Sequence, residues 1–357
     1  MPKVFPELKS SPIIKRYEGN PILSMKDIPY EATCIYNAGI TKWDGKYIMV
    51  FRNDVRTNGY GTMPLSRIDL GLATSDDGIH WTVSDEPFIP QSAIETDEIL
   101  RIYDPRLTVI DGVLHMCFAV DTKHGVHGGV GIIHDLERLE IMSISAPDNR
   151  NMVLFPEKIN GLYTRLERPF PVYSRGGVDR FDIWFAQSPD LKFWGNNKLV
   201  MGVEHVPYAN DKIGPAAPPI KTEKGWLTTF HTVDIDHTRG KNGWEDTWKK
   251  RYCAGIMLLD LEDPSKVIGM SKLPLIAPET DYDVDEGLRQ NVIFPGGMIL
   301  EDNGEVKIYY GASDTVECLA TANVDDLIGL CTEEKYKKQV FLPCFFKITG
   351  LLSSGYA

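Results

Sequence analysis

The sequence predicts an all-β protein folded as a five-bladed β-propeller. Short β-branched and aromatic runs bounded by turn residues occur along the whole chain, while long amphipathic helical stretches are scarce. One strand–turn–strand pattern recurs five times at a mean spacing of about 65 residues. Glycine and proline, which interrupt strands and form turns, number 31 and 23 among the 357 residues.

Each repeat contains a polar turn with glycine, followed by an apolar alternating strand. Asn-Gly and Asp-Gly turns tolerate positive φ angles and therefore close tight hairpins. The five copies are DGKYIMVF at 44–51, DGVLHMCF at 111–118, NGLYTRLE at 160–167, KGWLTTFH at 224–231 and NGEVKIYY at 303–310. One further strand precedes each copy and another follows it, so each repeat is expected to form one blade. A β-sandwich or two unrelated β domains is the alternative architecture.

The length alone would allow about two domains, but closed β architectures often run long as one unit. We expect a single propeller domain with an N-terminal extension over residues 1–332. Residues 333–357 form an apolar C-terminal tail, which we expect to pack on the propeller or on a neighbouring subunit. Such a tail is consistent with a homo-oligomer.

Charge and cysteine usage narrow the class of protein. The net charge is −12, which argues against a nucleic-acid partner and against anionic membranes. No apolar signal segment or membrane-length run is present, and the six cysteines are far apart, so we expect a cytoplasmic protein with reduced thiols. No cluster of metal-ligating residues has suitable spacing, and we expect no metal site.

The strand before each hairpin turn is expected to line the central channel of the propeller. Candidate residues on these strands and the adjoining loops are Asn37, Arg52, Arg67, Tyr103, Asp104, Arg150, Asn151, Arg168, Lys212, His231 and Asp314. Arginine binds carboxylate or phosphate through two parallel hydrogen bonds, so the cluster indicates either an oxyanion site or ion pairs between blades. Asp104 follows an aromatic residue, and a carboxyl group beside aromatic rings can have a raised pKa and act as a general acid. An ordinary turn residue is the alternative for Asp104.

Several of these residues lie in motifs that resemble glycoside hydrolase family 130, the β-mannoside phosphorylases. The motifs occur in the family's order and cover roughly residues 15–330. They include NAG at 37–39, YDPR at 103–106, NRNMVLFPEKING at 149–161, KIGPAAPPIKTEKGWL at 212–227, NVIFPGGMI at 291–299 and YYGASDT at 309–315. Members of the family are five-bladed propellers, in agreement with the repeats.

The resemblance implies phosphorolysis of a β-mannosidic bond with inversion, which yields α-mannose 1-phosphate. Asp104 matches the general acid, whose proton reaches the leaving oxygen through the mannosyl 3-hydroxyl. The positions matching phosphate-binding residues are Arg150, Asn151, Arg168, Lys212 and His231. The positions matching sugar-binding residues are Asn37, Arg52, Arg67, Tyr103 and Asp314. We expect no cofactor, with inorganic phosphate as the co-substrate and a β-mannoside oligosaccharide as the substrate.

Within the family, the motifs around Arg150 and Lys212 resemble the branch that acts on β-1,4-mannosides. Acceptors of that branch are mannose, mannooligosaccharides and N-acetylglucosamine. The alternatives are a β-1,2-mannoside phosphorylase and a β-mannosidase of the same family. A non-catalytic glycan-binding propeller is a further alternative from another functional class.

Overall fold

The described residues form five antiparallel sheets arranged in a ring, which confirms the predicted five-bladed β-propeller. The computed structural model describes residues 5, 7–56, 65–171, 180–236, 249–284 and 287–332. The predicted tail over 333–357 lies outside this range.

The blades follow one another along the chain, each with its first strand innermost. Blade 1 contains β2 (Cys34–Trp43), β3 (Lys46–Arg56), β4 (Leu65–Ser75) and β5 (Thr82–Val83). Blade 2 contains β6 (Ile99–Ile110), β7 (Val113–Thr122), β8 (Gly125–His134) and β9 (Arg138–Ile144). Blade 3 contains β10 (Asn149–Leu154), β11 (Tyr163–Pro169), β12 (Ile183–Ser188) and β13 (Gly195–Met201).

Blade 4 has a divided inner strand. It contains β14 (Lys212–Pro215), β15 (Ile220–Thr222), β16 (Gly225–Ile235), β17 (Lys250–Leu259) and β18 (Val267–Met270). Both β14 and β15 pair with β16, and the residues between them include Pro218 and Pro219, which have no N–H to donate to a ladder.

Blade 5 is built from both ends of the described chain. It contains β19 (Ile293–Leu300), β20 (Glu305–Ala312) and β21 (Val316–Asn323), and its outer strand is β1 (Lys15–Arg16). The N-terminal extension therefore closes the ring through antiparallel pairing of β1 with β21. Over the residues that the structure describes, helix is limited to α1 (Asp281–Val284), α2 (Val324–Thr332) and three 3-10 turns at Met25–Asp27, Gln91–Ala93 and Val203–His205.

Three of the five predicted hairpin turns have positive φ at both central residues. These are Asp44-Gly45, Asp111-Gly112 and Asn160-Gly161, with φ between 49° and 79°. Such turns match the right-handed twist of the strands they join, which explains why the Asx-Gly pairs recur. In the two other copies only Gly225 and Gly304 have positive φ.

The inner strands of blades 1 to 3 share a β-bulge at the same position. Asn37, Asp104 and Asn151 adopt the left-handed conformation, with φ of 53°, 54° and 58°. The register with the next strand shifts at each of these residues. Asn and Asp adopt this conformation more readily than other non-glycine residues, and a bulge re-aims the side chains beside it. The bulges thus place three Asx side chains at equivalent points around the channel.

The buried side chains are mainly apolar, and the core lies within and between the blades. The five cysteines in the described part of the chain are buried and form no disulfide. Over the same residues, no group of three or more His, Cys, Asp or Glu side chains converges in a way that could hold a metal. Neither helix is long and apolar enough to cross a membrane.

Candidate active site

One cavity is lined by residues from all five blades, which places it on the channel axis. Five cationic side chains and two carboxylates line it, although the whole chain is strongly acidic. The charged lining residues are Arg52, Arg150, Arg168, Lys212, Arg289, Asp104 and Asp314. An excess of cations in a partly enclosed site attracts anions.

Asp104 is the most heavily hydrogen-bonded acid of the cavity, and only 6% of its surface is exposed. Its Oδ1 accepts hydrogen bonds from Asn37 Nδ2 at 2.9 Å and from Arg52 Nη1 at 3.1 Å. Its Oδ2 accepts from Arg150 Nη2 at 2.6 Å. Each of these donors favours the ionised form of the carboxyl group.

The expectation of a raised pKa for Asp104 is wrong for the protein without ligands. Burial alone would raise this pKa, but the guanidinium groups of Arg52, Arg150 and Arg106 outweigh burial and hold it well below its usual range. Asp104 is therefore a carboxylate before substrate binds.

Arg52 is held rigidly beside Asp104. Its guanidinium lies between the rings of Tyr36 and Tyr103, 4.7 Å from each ring centroid. It also donates two hydrogen bonds to Asp54, at 2.6 and 3.1 Å. Stacking and bidentate pairing together fix the plane of the guanidinium, so its remaining Nη1 points at a defined place.

Arg168, Lys212 and His231 form the strongly basic part of the site. Arg168 Nη1 lies 3.2 Å from His231 Nε2, and His231 Nδ1 lies 3.3 Å from the carbonyl oxygen of Pro215. A carbonyl only accepts, so these partners assign the proton of a neutral imidazole to Nδ1. Nε2 then accepts from Arg168. Burial, followed by the charges of Arg168 and Lys212, lowers the pKa of His231 well below its usual value.

The cations of this part have little compensating negative charge, since Lys212 has a long ion pair with Asp211, at 3.8 Å. Burial lowers the pKa of Arg168 to about 9, and repulsion from Arg150 contributes. Burial likewise lowers the pKa of Lys212 to about 7, with repulsion from Arg168 and Lys250. Among the described residues, no carboxylate pairs with Arg168, and the Nε atoms of Arg150 and Arg168 have no hydrogen-bond partner. A bound anion would satisfy these donors and relieve the repulsion.

Comparison with known proteins gives the family. A family model described as beta-1,4-mannooligosaccharide phosphorylase matches residues 7–333. The chain belongs to glycoside hydrolase family 130. This is a phosphorylase family, whose substrates are an oligosaccharide and inorganic phosphate.

Relatives of this family 130 protein act on more than one linkage. A beta-1,2-mannobiose phosphorylase of Listeria innocua is 35% identical over 68% of this chain, and the alignment spans 63% of that relative. A beta-1,4-mannooligosaccharide phosphorylase of Ruminococcus albus is 32% identical over 88% of this chain and 90% of that relative. The solved structure of a Listeria innocua beta-1,2-mannobiose phosphorylase with beta-1,2-mannobiose superposes with a TM-score of 0.73 and 26% identity. That superposition covers 89% of this chain and 98% of that chain.

The structure brings eight of the eleven predicted site residues to the cavity lining. They are Asn37, Arg52, Asp104, Arg150, Asn151, Arg168, Lys212 and Asp314. Tyr103 lies behind the lining, where its ring contacts Arg52 and Arg150 and its hydroxyl donates to Asp121 at 2.7 Å. His231 is fully buried behind Arg168. The roles of all these residues in catalysis stay predictions.

Among the described residues, Arg67 neither lines the cavity nor pairs with a residue that lines it. It pairs with Asp69 and Glu31, each at 2.9 Å, and its side chain is 40% exposed. The position of Arg67 in the sequence, beside the inner strands, predicts that it lies at the site. The guanidinium is held instead by Asp69 of β4 and by Glu31, which lies in the segment before β2.

Five further residues line the cavity and were not among the predicted site residues, namely Tyr36, Tyr252, Arg289, Val292 and Phe294. Tyr36 precedes the left-handed residue of β2 as Tyr103 does in β6, so aligning the two bulges would have found it. Arg289 lies outside the blades, with its Nη1 at 3.4 Å from Asp314 Oδ2. No sequence pattern that we recognised marks it or Tyr252.

Proposed function

We propose that this protein is an inverting phosphorylase that cleaves a terminal β-1,4-mannosidic bond with inorganic phosphate. The products are α-mannose 1-phosphate and the shortened sugar. The observation that supports it most is a buried carboxylate, Asp104, which pairs with Arg150 and shares the cavity with Arg168 and Lys212, two cations whose pKa values burial lowers. A hydrolase that inverts needs an acid and a base with room for water, whereas phosphate is already an anionic nucleophile and needs cations to hold it.

In this proposal Asp104 delivers the proton to the leaving group. An oxygen of phosphate attacks the anomeric carbon, the glycosidic C–O bond breaks, and the proton of Asp104 reaches the leaving oxygen through the mannosyl 3-hydroxyl. Asp104 must therefore be protonated in the productive complex. Arg150 interacts with both reacting groups, because it donates to Asp104 at 2.6 Å and is also proposed to bind phosphate. Phosphate on Arg150 weakens its hold on Asp104, which raises the pKa of Asp104 when the nucleophile is in place.

The β-1,4 linkage is proposed first because the matching family model carries that description and the motifs resemble that branch. A β-1,2 linkage is the second candidate, since relatives of comparable identity are named for it. The second lining carboxylate, Asp314, is proposed to accept a sugar hydroxyl. Its Oδ2 lies 3.4 Å from Arg289 Nη1, and burial raises its pKa.

The test is a product assay with β-1,4-mannobiose, β-1,4-mannosyl-N-acetylglucosamine and β-1,2-mannobiose, each with and without phosphate. We expect mannose 1-phosphate only when phosphate is present, with the β-1,4 substrates cleaved faster. Free mannose in both conditions would identify a hydrolase. Faster cleavage of β-1,2-mannobiose would reassign the linkage.

Asp104→Asn tests the acid assignment within the same assay. We expect kcat to fall about 10²- to 10⁴-fold, the usual contribution of a general acid. The control is Asp111→Asn, the same chemical change in a hairpin turn of blade 2, where the side chain is 70% exposed. A normal rate for Asp104→Asn would contradict the proposal. The cofactor expectation is tested by adding EDTA, which should leave the rate unchanged.

A further inference from the structure

The inner strand of blade 1 is held by two buried ionisable residues that the reaction itself does not need. We propose that Arg106 and Glu317 are positioning residues, which clamp the Asn37–Ala38 peptide group and thereby hold Asn37 against Asp104. The effect on catalysis rests on the proposed function, whereas the clamp itself is a structural claim.

The clamp acts on both ends of one peptide group. Arg106 Nη1 donates to the carbonyl oxygen of Asn37 at 3.0 Å. The amide N–H of Ala38, in the same peptide group, donates to Glu317 Oε2 at 3.2 Å. Arg106 is 3% exposed and Glu317 is fully buried, so neither contact competes with solvent. Rotation of this peptide would break both hydrogen bonds at once.

Asn37 needs such support because its conformation is strained. Its φ is 53°, in the left-handed region that non-glycine residues rarely occupy, although Asn does so more readily than most. The strained conformation directs Asn37 Nδ2 to Asp104 Oδ1, at 2.9 Å. The peptide conformation at 37–38 is therefore coupled to a hydrogen bond on the proposed general acid.

The surrounding glycines allow neighbouring strands to approach this peptide closely. A Cβ atom at Gly296 would lie 1.8 Å from the carbonyl oxygen of Ala38, and one at Gly311 would lie 2.9 Å from the amide nitrogen of Asn37. Blade 5 thus contacts the bulge of blade 1 at Gly296 and Gly311, where no side chain separates the strands. Little space is left for an alternative peptide orientation while the two clamping hydrogen bonds persist.

Arg106 is itself anchored to several blades. It donates from Nε to the carbonyl of Ala216 in blade 4 at 2.7 Å, and from Nη1 to that of Pro105 at 2.6 Å. A longer contact from Nη2, at 3.4 Å, reaches the carbonyl of Pro295 in blade 5. The guanidinium therefore joins the inner strands of four blades below the cavity.

Burying the carboxyl group of Glu317 lowers the stability of the folded protein, so packing alone does not account for this residue. Burial raises the pKa of its carboxyl group to about 8, and Oε1 has no hydrogen-bond partner among the described residues. A buried polar atom without a partner destabilises the folded protein, so an apolar residue of similar volume would pack with less penalty. Among the described residues, the one hydrogen bond that the carboxyl group of Glu317 accepts comes from the peptide beside Asn37.

The test compares Glu317→Gln, which keeps an acceptor for Ala38, with Glu317→Met, which keeps the volume without an acceptor. We expect kcat/KM of the Met variant to fall about 10- to 100-fold, the scale of a misplaced catalytic group. The Gln variant should stay within about threefold of wild type. Glu305→Met, in the same blade, is the control and should leave kcat/KM unchanged. Glu317→Ala serves as the second variant where the Met protein does not fold.

Two further measurements separate positioning from a general loss of structure. If Glu317 acts through Asn37, the Met substitution should add almost nothing to the loss already caused by Asn37→Gly, whereas independent sites would show additive losses. A crystal structure of the Met variant should show the 37–38 peptide rotated and the Asn37–Asp104 hydrogen bond lost. An unmoved Asn37 overturns the clamp. Inactivity of the wild type on every mannoside overturns the proposed function instead, and the crystal structure still judges the clamp.

Discussion

Lys212 lies where burial and like charges act on the same ammonium group. Both effects disfavour the charged form, and they lower the pKa of Lys212 to about 7, which is near the physiological range. A bound anion has the opposite effect, because it stabilises the ammonium form. Anion binding at this site is therefore linked to proton uptake by Lys212 at neutral and higher pH.

This linkage predicts a pH-dependent affinity for sulfate, a phosphate analogue that stays fully ionised over the range tested. Below about pH 7 Lys212 is already protonated and affinity should be constant. Above it, each bound sulfate must take up a proton, so affinity should fall by up to about tenfold per pH unit. Calorimetric titration between about pH 6 and 8.5 measures the effect.

Lys212→Arg is the matched control for that titration, because guanidinium stays protonated throughout the range. Its sulfate affinity should change little with pH. Identical pH dependence in wild type and Lys212→Arg would show that another group is responsible.

The inner strands position the site through bulges and through close packing. In blade 4 the strand β14 has no bulge with a left-handed residue, and Gly214 brings it close to its neighbours instead. A Cβ atom at Gly214 would lie 2.3 Å from His231 Cε1 and 3.0 Å from Arg168 Cδ. The absence of a side chain thus allows the Arg168–His231 contact to form beside β14.

We expect Gly214→Ala to displace the imidazole and the guanidinium together, because neither can move without the other. The KM for phosphate should rise at least about tenfold while the protein stays folded, since Arg168 loses its orientation. Gly195→Ala is the control, because a Cβ atom at Gly195 would meet nothing within 4 Å. Equal KM values for the two variants would contradict this account of β14.

The elements differ in how far the sequence could predict them. The hairpins were predictable because Asx-Gly turns have a local signature, and the repeated turns gave the number of blades. Most of the site was predictable because its residues fall at equivalent places in the repeats. The position of Arg67 was not predictable from the sequence, because Asp69 and Glu31 hold its guanidinium away from the cavity. The ionisation of Asp104 was not predictable either, because it depends on arginines from three strands.

At the scale of the molecule, closure of the ring supports the site as well as the fold. The closing strand β1 contributes Arg16, which donates to the carbonyl of Ala277 at 2.6 Å and pairs with Asp283 at 2.9 Å. The carbonyl of Asp283 accepts from the backbone N–H of Asn291 at 2.7 Å and from the Ser313 hydroxyl at 2.8 Å. Those two residues flank segments that carry Arg289 and Asp314. The N-terminal strand and the cavity are therefore connected through Asp283 of the short helix α1.

Arg16→Ala should consequently destabilise the protein far more than a change of the neighbouring exposed residue on β1. The side chain of Asp283 is fully buried, and its pKa is already raised by burial despite Arg16, so removing the arginine leaves a buried carboxyl group without its cation. Breaking such a pair costs about 3–5 kcal/mol of unfolding free energy, whereas Lys15→Ala should cost less than about 0.5 kcal/mol. Urea unfolding followed by tryptophan fluorescence measures both. Adding Asp283→Asn to Arg16→Ala should restore part of the lost unfolding free energy, because the amide needs no cation. Equal stability of Arg16→Ala and Lys15→Ala would instead mean that the ring closes through backbone pairing alone.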